Sequence, residues 1–119
     1  MSARVAFLMR HSPYGTVYPA EGLRAIMGTA VFEMDIVVVF VDDGVFVPLK
    51  GQRPGELDMK SLADGFPGLA DVGVKDFYVH EESLAERGLA ASDLAVNAEV
   101  ASSARIAEVL AGCSTVLPF

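Results

Sequence analysis

The chain has 119 residues, 52% of them hydrophobic, and its 16 acidic and 9 basic residues give a net charge of −7. This length fits one domain, residues 1–119, with a hydrophobic core of its own. The acidic balance argues against a direct nucleic-acid surface and against binding to anionic membranes. The single cysteine argues against an internal disulfide and a cysteine-cluster metal site. Without a recognisable signal peptide or an apolar run long enough to span a bilayer, we expect a cytoplasmic protein.

Apolar segments and turn residues alternate along the first half of the chain. The run Arg4–Met9 predicts a strand, and a loop with Pro and Gly follows it. Pro19 is predicted to begin a helix, because apolar residues then recur at helical spacing. These apolar positions are Ala20, Leu23, Met27, Ala30 and Val31. Asp35–Val41 predicts a central strand buried on both faces, and it ends at the turn signal Asp42–Gly44.

The middle of the chain carries weaker signals. A short extended piece is predicted over Val45–Leu49 and a helix over Leu57–Ala63, before a third strand at Asp76–Val79. Next, Ser83 and Glu86 have the spacing of a capping box for a short helix. The glycine at position 88 is predicted to end that helix.

The last part of the chain completes the alternation of strands and helices. Residues 93–100 are compatible with another strand, although their pattern is ambiguous. Ser102 or Ser103 is predicted to cap a helix that runs to about Ala111 and stops at Gly112, before a last strand over residues 114–119. This order predicts an α/β fold, with a mainly parallel sheet of about five strands and helices on both faces.

Three loops are predicted to lie beyond the carboxyl ends of the strands, where open parallel sheets place their sites. They are residues 11–16, 42–44 and 80–83. The loops lack a phosphate-binding glycine motif, so a nucleotide site is disfavoured. A metal site using His11, His80 and Asp42 or Asp43 has no supporting spacing. A hydrolase triad using Ser12 or Ser83 lacks a nucleophile elbow.

Three features at or near these loops and the last strand have a structural and a functional interpretation. Asp42-Asp43-Gly44 is typical of a tight turn whose side chains cap backbone amides, and the alternative is a polar rim at a subunit contact. Cys113 follows a helix, where a small buried side chain is expected and a thiolate is disfavoured. His80 precedes a helix N-terminus, which suits a thiolate or persulfide, but an imidazole carries no transferable sulfur.

Several segments taken together resemble the DsrE/DsrF family and, within it, the DsrF/TusC branch. They are "SPYGT" at residues 12–16, "EGL" at 21–23, "VVFVDDGVF" at 38–46, "KGQ" at 50–52, "SLAERGL" at 83–89 and the closing "LPF" at 117–119. The resemblance covers nearly the whole chain in order. It implies a three-layer α/β/α sandwich of DsrEF-like, flavodoxin-like architecture.

The resemblance also implies partners. Such proteins assemble with DsrE/TusD-like and DsrH/TusB-like sister subunits into a heterohexamer that uses no cofactor. The complex passes persulfide sulfur between TusA-like and DsrC/TusE-like carriers, for sulfur oxidation or for thiolation of the wobble uridine of tRNA. Contact with nucleic acid or a membrane is not expected of this chain itself.

The resemblance further implies where sulfur is carried. In the DsrE/TusD branch, the sulfur-bearing Cys lies a fixed distance before an Arg-Gly pair, and counting back from Arg87-Gly88 places His80 there. We therefore expect a non-catalytic subunit without a metal. The expected rim of its interaction site comprises Tyr14, Gly15, Asp42, Asp43, Gly44, His80 and Glu81.

Three alternatives stay open. The chain transfers sulfur itself through Cys113, or it is a small-ligand or nucleotide-binding module, or it forms a homo-oligomer in place of the heterohexamer. The sequence does not choose between sulfur oxidation and tRNA thiolation.

Overall fold

The computed structural model describes residues 4–12, 17–49 and 66–119. Their five strands are β1 Arg4–Met9, β2 Asp35–Phe40, β3 Asp76–His80, β4 Glu99–Ala101 and β5 Thr115–Pro118. Their three α-helices are α1 Tyr18–Ala30, α2 Glu81–Glu86 and α3 Ser103–Ala111. The same residues include 3₁₀ helices at Asp42–Phe46, Pro67–Val72 and Ala91–Asp93. None of the described helices is long and apolar enough to cross a bilayer.

The five strands form one sheet in the order β4-β3-β2-β1-β5, and every neighbouring pair is parallel. The central strand β2 is buried from Ile36 to Phe40. Its continuous run of Val and Ile is typical of a strand that is covered on both faces. The predicted parallel α/β sheet is confirmed.

The helices form a layer on each face of this sheet. One core cluster joins Phe7 of β1 to Ile26 of α1 and Leu84 of α2. The other joins Val37 of β2 to Ile106 of α3. Because successive side chains of a strand point to opposite faces, α3 covers the face opposite to α1 and α2. The three-layer arrangement is therefore confirmed.

Helix α1 contains Pro19 in its first turn, as predicted, but it buries a different stripe of residues. Its buried residues are Pro19, Gly22, Ile26 and Ala30. Met27 and Val31, two members of the predicted apolar stripe, are 55% and 73% exposed. The helix packs through Gly22, where an added Cβ would lie 2.8 Å from the sulfur of Met9. This close approach turns the flank with Met27 and Val31 to solvent.

The segment after β2 differs from the prediction. Asp42–Phe46 forms a 3₁₀ helix, so the extended piece predicted over Val45–Leu49 is wrong. Leu49 makes an isolated antiparallel bridge with Leu94. The chain stays compact here because Gly44 packs directly on the carbonyl oxygen of Met9, where a Cβ would collide.

The short helix α2 begins three residues earlier than the predicted capping box would place it. His80 is its N-cap residue, with extended backbone, and Ser83 is the third residue inside the helix. The predicted capping box of Ser83 and Glu86 is therefore wrong. Gly88 follows the helix with φ +66°, and Leu89 N–H donates to Leu84 O at 2.9 Å. The predicted end of the helix at Gly88 is confirmed.

Helix α3 agrees with the prediction, and strand β4 agrees only in part. Ser102 caps α3, since its Oγ accepts from Arg105 N–H at 3.2 Å, and the helix ends before Gly112. The ambiguous residues 93–100 enter β4 only at Glu99. The predicted helix Leu57–Ala63 lies outside the described residues.

Candidate functional site

Three segments of the chain meet at one edge of the sheet. Asp42 follows β2, His80 ends β3, and Ser103 begins α3 directly after β4. Since these strands are parallel, their carboxyl ends lie at the same edge. The sequence predicted this meeting for Asp42 and His80. It did not predict that Ser103 joins them, although a helix-capping Ser after a parallel strand belongs at this edge.

His80 is bonded through both of its ring nitrogens. Nδ1 lies 2.7 Å from Ser83 Oγ, and Nε2 lies 2.7 Å from Ser103 Oγ. Ser83 belongs to the first turn of α2, and Ser103 is the first residue of α3. The imidazole therefore links the first turns of two helices that lie on opposite faces of the sheet.

Ser83 is the buried centre of this contact, with only 2% of its surface exposed. Its Oγ accepts the backbone N–H of Asp42 at 2.9 Å. The same oxygen has a second lone pair and one hydrogen, so it accepts from a protonated His80 Nδ1 or donates to an unprotonated one. The tautomer also sets the direction of the bond between His80 Nε2 and Ser103 Oγ, since either tautomer gives each hydroxyl a bonded partner.

The 3₁₀ helix after β2 is tied to α2 at the same place. Asp42 has φ +50°, a left-handed conformation that side chains rarely adopt, and its N–H bond to Ser83 offsets part of that cost. Asp43 Oδ1 accepts from Arg87 Nε at 3.2 Å and from Nη2 at 3.0 Å. Arg87 Nη1 also donates to the carbonyl oxygen of Ser83 at 3.1 Å. These bonds fix the Asp42–Phe46 helix against the residues around His80.

Among the described residues, His11 and Glu81 are predicted site residues that take no part in this network. The ring of His11 stacks on Tyr18, with centroids 4.5 Å apart. Glu81 is exposed at the start of α2. Tyr14 and Gly15 lie outside the described residues. Among the residues that the structure does describe, no group of three or more His, Cys, Asp or Glu side chains is placed to hold a metal ion.

Cys113 lies at the opposite, amino edge of the sheet. It follows α3, and its Sγ donates to Val109 O at 3.4 Å. Burial raises the pKa of the Cys113 thiol, Arg4 opposes this rise, and Asp35 adds to it. The intervening helix α3 is about 13 Å long, at 1.5 Å per residue. The thiol is therefore biased to its neutral form and is remote from His80.

The arrangement at the carboxyl edge is suited to holding its elements together. Its described side chains are an imidazole, two hydroxyls, a carboxylate and a guanidinium, each already bonded to a neighbour. The chain's one sulfur nucleophile lies at the other edge. Persulfide formation requires a thiolate, and an imidazole cannot replace it.

The chain is similar to known proteins along nearly its whole length. A sequence profile described as the DsrE/DsrF-like family matches residues 3–119. The Intracellular sulfur oxidation protein DsrF of Allochromatium vinosum is 34% identical over an alignment of 127 positions, which covers 95% of this chain and 93% of that protein. A Protein TusC homolog of Vibrio parahaemolyticus is 32% identical over 117 residues, covering 98% and 99%.

The ychN protein from E. coli has a crystal structure with the same fold. Its TM-score is 0.85 over 98% of this chain and 99% of that chain, at 21% sequence identity. The two full-length relatives named DsrF and TusC also agree with the branch indicated by the sequence motifs. The chain therefore belongs to the DsrE/DsrF-like family.

Proposed function

We propose that this chain is a non-catalytic, DsrF/TusC-like subunit of a cytoplasmic sulfur-relay complex. Its work is to hold a Cys-bearing subunit of the DsrE/TusD type and to form part of the surface on which sulfur carriers dock. The observation that carries this proposal is the bonding of His80. At the position where the family resemblance places sulfur, the ring bridges Ser83 and Ser103.

The names of the relatives support sulfur handling as the general activity. One is named for intracellular sulfur oxidation, and others are named TusC. These names are compatible with both destinations of the sulfur, which are sulfur oxidation and thiolation of tRNA. Sister subunits of the DsrE/TusD and DsrH/TusB types are the proposed partners, with DsrC/TusE-like and TusA-like carriers reached through the complex.

The chemistry of the two edges favours a non-catalytic role in the complex over direct sulfur transfer by this chain. At the carboxyl edge, His80 is held in a closed network with two hydroxyls. At the amino edge, burial raises the pKa of the Cys113 thiol, which lowers the fraction of reactive thiolate. The carrier of sulfur is then a cysteine of a partner subunit.

The intact mass of the protein after incubation with a persulfide donor tests this proposal. Wild type and Cys113→Ser are treated together, and a Cys-bearing sister subunit serves as the control for an active donor. We expect neither form of this chain to retain an added sulfur atom after excess donor is removed. Stable addition to wild type alone would identify Cys113 as a sulfur carrier and contradict the non-catalytic role.

Co-expression with the sister subunits tests the assembly role. We expect the chain to co-purify in a complex of defined mass, measured by size exclusion with light scattering. A stable monomer that elutes apart from co-expressed DsrE/TusD-like and DsrH/TusB-like chains would overturn the proposal.

A further inference from the structure

Four large apolar side chains are exposed where α1 ends and the chain turns into β2. Their exposed fractions are 55% for Met27, 73% for Val31, 78% for Phe32 and 39% for Met34. Met27 and Val31 are neighbours on one flank of the helix, and the other two follow directly in the turn. We call these four residues the α1 patch. Single exposed apolar residues are ordinary, whereas a contiguous group is typical of an interaction surface.

The turn that exposes these four side chains contains one residue in an unfavourable backbone conformation. Glu33, between Phe32 and Met34, has φ +56°, a conformation usually left to glycine after a helix. Phe32 N–H donates to Thr29 O at 3.1 Å, and Glu33 N–H donates to Ala30 O at 3.0 Å. The turn is therefore hydrogen-bonded to the last residues of α1, and Phe32 projects from an anchored segment.

The charges around the patch restrict the kind of partner surface that can bind there. Glu33 has no ion pair among the residues that the structure describes. Two nearby basic side chains are already paired, Arg24 with Glu21 at 3.2 Å and Arg4 with Asp76 at 2.9 Å. A purely apolar partner would strip water from the Glu33 carboxylate without replacing it, which is strongly unfavourable. A suitable partner brings Lys or Arg to this point.

A second copy of this chain across a two-fold axis meets that requirement less well. A two-fold contact places the same surface on both sides, so it brings a second Glu33 to the contact, while the nearby Arg24 and Arg4 are already paired. Each copy also carries a net charge of −7. Both effects disfavour self-association through the α1 patch.

We propose that the α1 patch binds a different protein subunit, whose facing surface has an apolar centre and a Lys or Arg opposite Glu33. This inference rests on the proposed function, and the subunit is a sister chain of the sulfur-relay complex. The patch lies at the amino edge of the sheet, where β2 starts, while His80 lies at the carboxyl edge. A subunit held at the patch therefore leaves the His80 edge available for other contacts.

Binding measurements on surface variants test the patch. Phe32→Ser and Glu33→Lys are compared with wild type for affinity to the purified sister subunits, by calorimetry at low and high salt. Val17→Ser is the matched control, because Val17 is apolar and 69% exposed at the other end of α1. Circular dichroism first confirms that each variant is folded.

We expect Phe32→Ser to weaken binding by roughly tenfold or more, as for a central aromatic contact. Glu33→Lys is expected to weaken binding most at low salt, where charge interactions are screened least. Val17→Ser is expected to bind like wild type.

Each contrary result has a distinct meaning. If wild type binds and both patch variants bind equally well, the patch is not the interface, and the proposed function stands. If wild type binds no sister subunit, the proposed function fails, and this inference fails with it. If wild type forms a homo-oligomer that Phe32→Ser converts to a monomer, the occupant is a second copy and the proposed subunit contact is overturned.

Discussion

Ser83 joins three parts of the candidate site through one oxygen atom. Its hydroxyl contacts the imidazole of His80 and accepts the N–H of Asp42, a residue 41 positions earlier. The side chain is almost completely buried, so water cannot replace these bonds. The position of the His80 ring and the strained backbone of Asp42 therefore depend on the same hydroxyl.

Replacement of Ser83 by Ala is expected to lower the free energy of unfolding by about 1–3 kcal/mol, because it leaves the Asp42 N–H without its buried acceptor. Urea denaturation followed by circular dichroism measures the change. Ser103→Ala is the matched control: it removes the other hydroxyl bonded to His80 from an exposed position, and the expected loss is smaller. Equal losses in the two variants would contradict the special role of Ser83.

The thiol of Cys113 is expected to react slowly with alkylating reagents at neutral pH. Burial raises its pKa, so the neutral form persists to higher pH in the folded protein than in the unfolded chain. The folded state binds the extra proton in that interval, and stability therefore falls as pH rises through it. The rate of iodoacetamide addition, measured against pH with and without denaturant, gives the two midpoints. A folded midpoint at or below the unfolded one would contradict the assignment.

At the scale of elements, the junction between β2 and the following 3₁₀ helix depends on close backbone contact. Val41 N–H donates to Met9 O at 3.0 Å, and Gly44 packs on the same carbonyl group. No side chain fits between these backbones. The left-handed backbone of Asp42 follows from the same sharp entry into the helix.

Substitution of Gly44 by Ala is expected to destabilise the protein by about 3 kcal/mol, since strand β1 and the 3₁₀ helix must separate to admit the methyl group. Thermal and urea denaturation both report this loss. Gly28→Ala in α1 provides the comparison, because a Cβ there has open space. That substitution is expected to be neutral or to stabilise by about 0.5–1 kcal/mol. A Gly44→Ala protein as stable as wild type would show that the junction relaxes freely.

The sequence predicted the kinds and order of most elements, because apolar runs and capping residues are local signals. Gly88 after α2 is such a signal and was interpreted correctly, and Ser102 is one of the two serines that the sequence offered as the cap of α3. The buried side of α1 was not predictable in this way. Its apolar residues extend over two stripes, and the choice depends on Gly22 meeting Met9 from another strand.

The location of the candidate site was predictable from the sequence, but its hydrogen bonds were not. A parallel sheet brings Asp42 and His80 to one edge, whatever their side chains do. The capping pattern at Ser83 was misleading, because the helix begins at Glu81 and the Ser83 hydroxyl bonds to a distant residue, Asp42. Contacts between segments that are far apart in sequence leave no periodic signal.

The two ends of the sheet differ in which helix termini they carry. The two candidate reactive positions, His80 and Cys113, lie at opposite ends. The five described strands are parallel, and the three described α-helices return against them, so the N-termini of these helices gather at the carboxyl edge of the sheet. His80 and Ser103 lie at that edge, while Cys113 follows the C-terminus of α3. Helix dipoles favour anions at N-termini and disfavour them at C-termini.

This arrangement of helix termini predicts a difference between the same chemical group at the two edges. A thiol introduced as His80→Cys in a Cys113→Ser background lies near the first turns of α2 and α3, with Ser83 and Ser103 as possible donors to a thiolate. Glu81 and Glu82 oppose the negative charge from exposed positions, where solvent screens them. The balance favours a lower thiol pKa than that of Cys113 in the wild type.

We expect the introduced thiol to be alkylated about tenfold faster than Cys113 at neutral pH, which corresponds to about one pKa unit. Rates measured across pH for both proteins separate a pKa difference from a difference in access, because access changes the plateau and the pKa changes the midpoint. The Cys113→Ser protein alone, which has no thiol, sets the background. Equal midpoints of the two alkylation rate profiles would mean that local burial, and not the helix dipoles, determines the thiol pKa. A lower midpoint at position 80 would show that the scaffold retains an environment for a sulfur anion where this chain carries histidine.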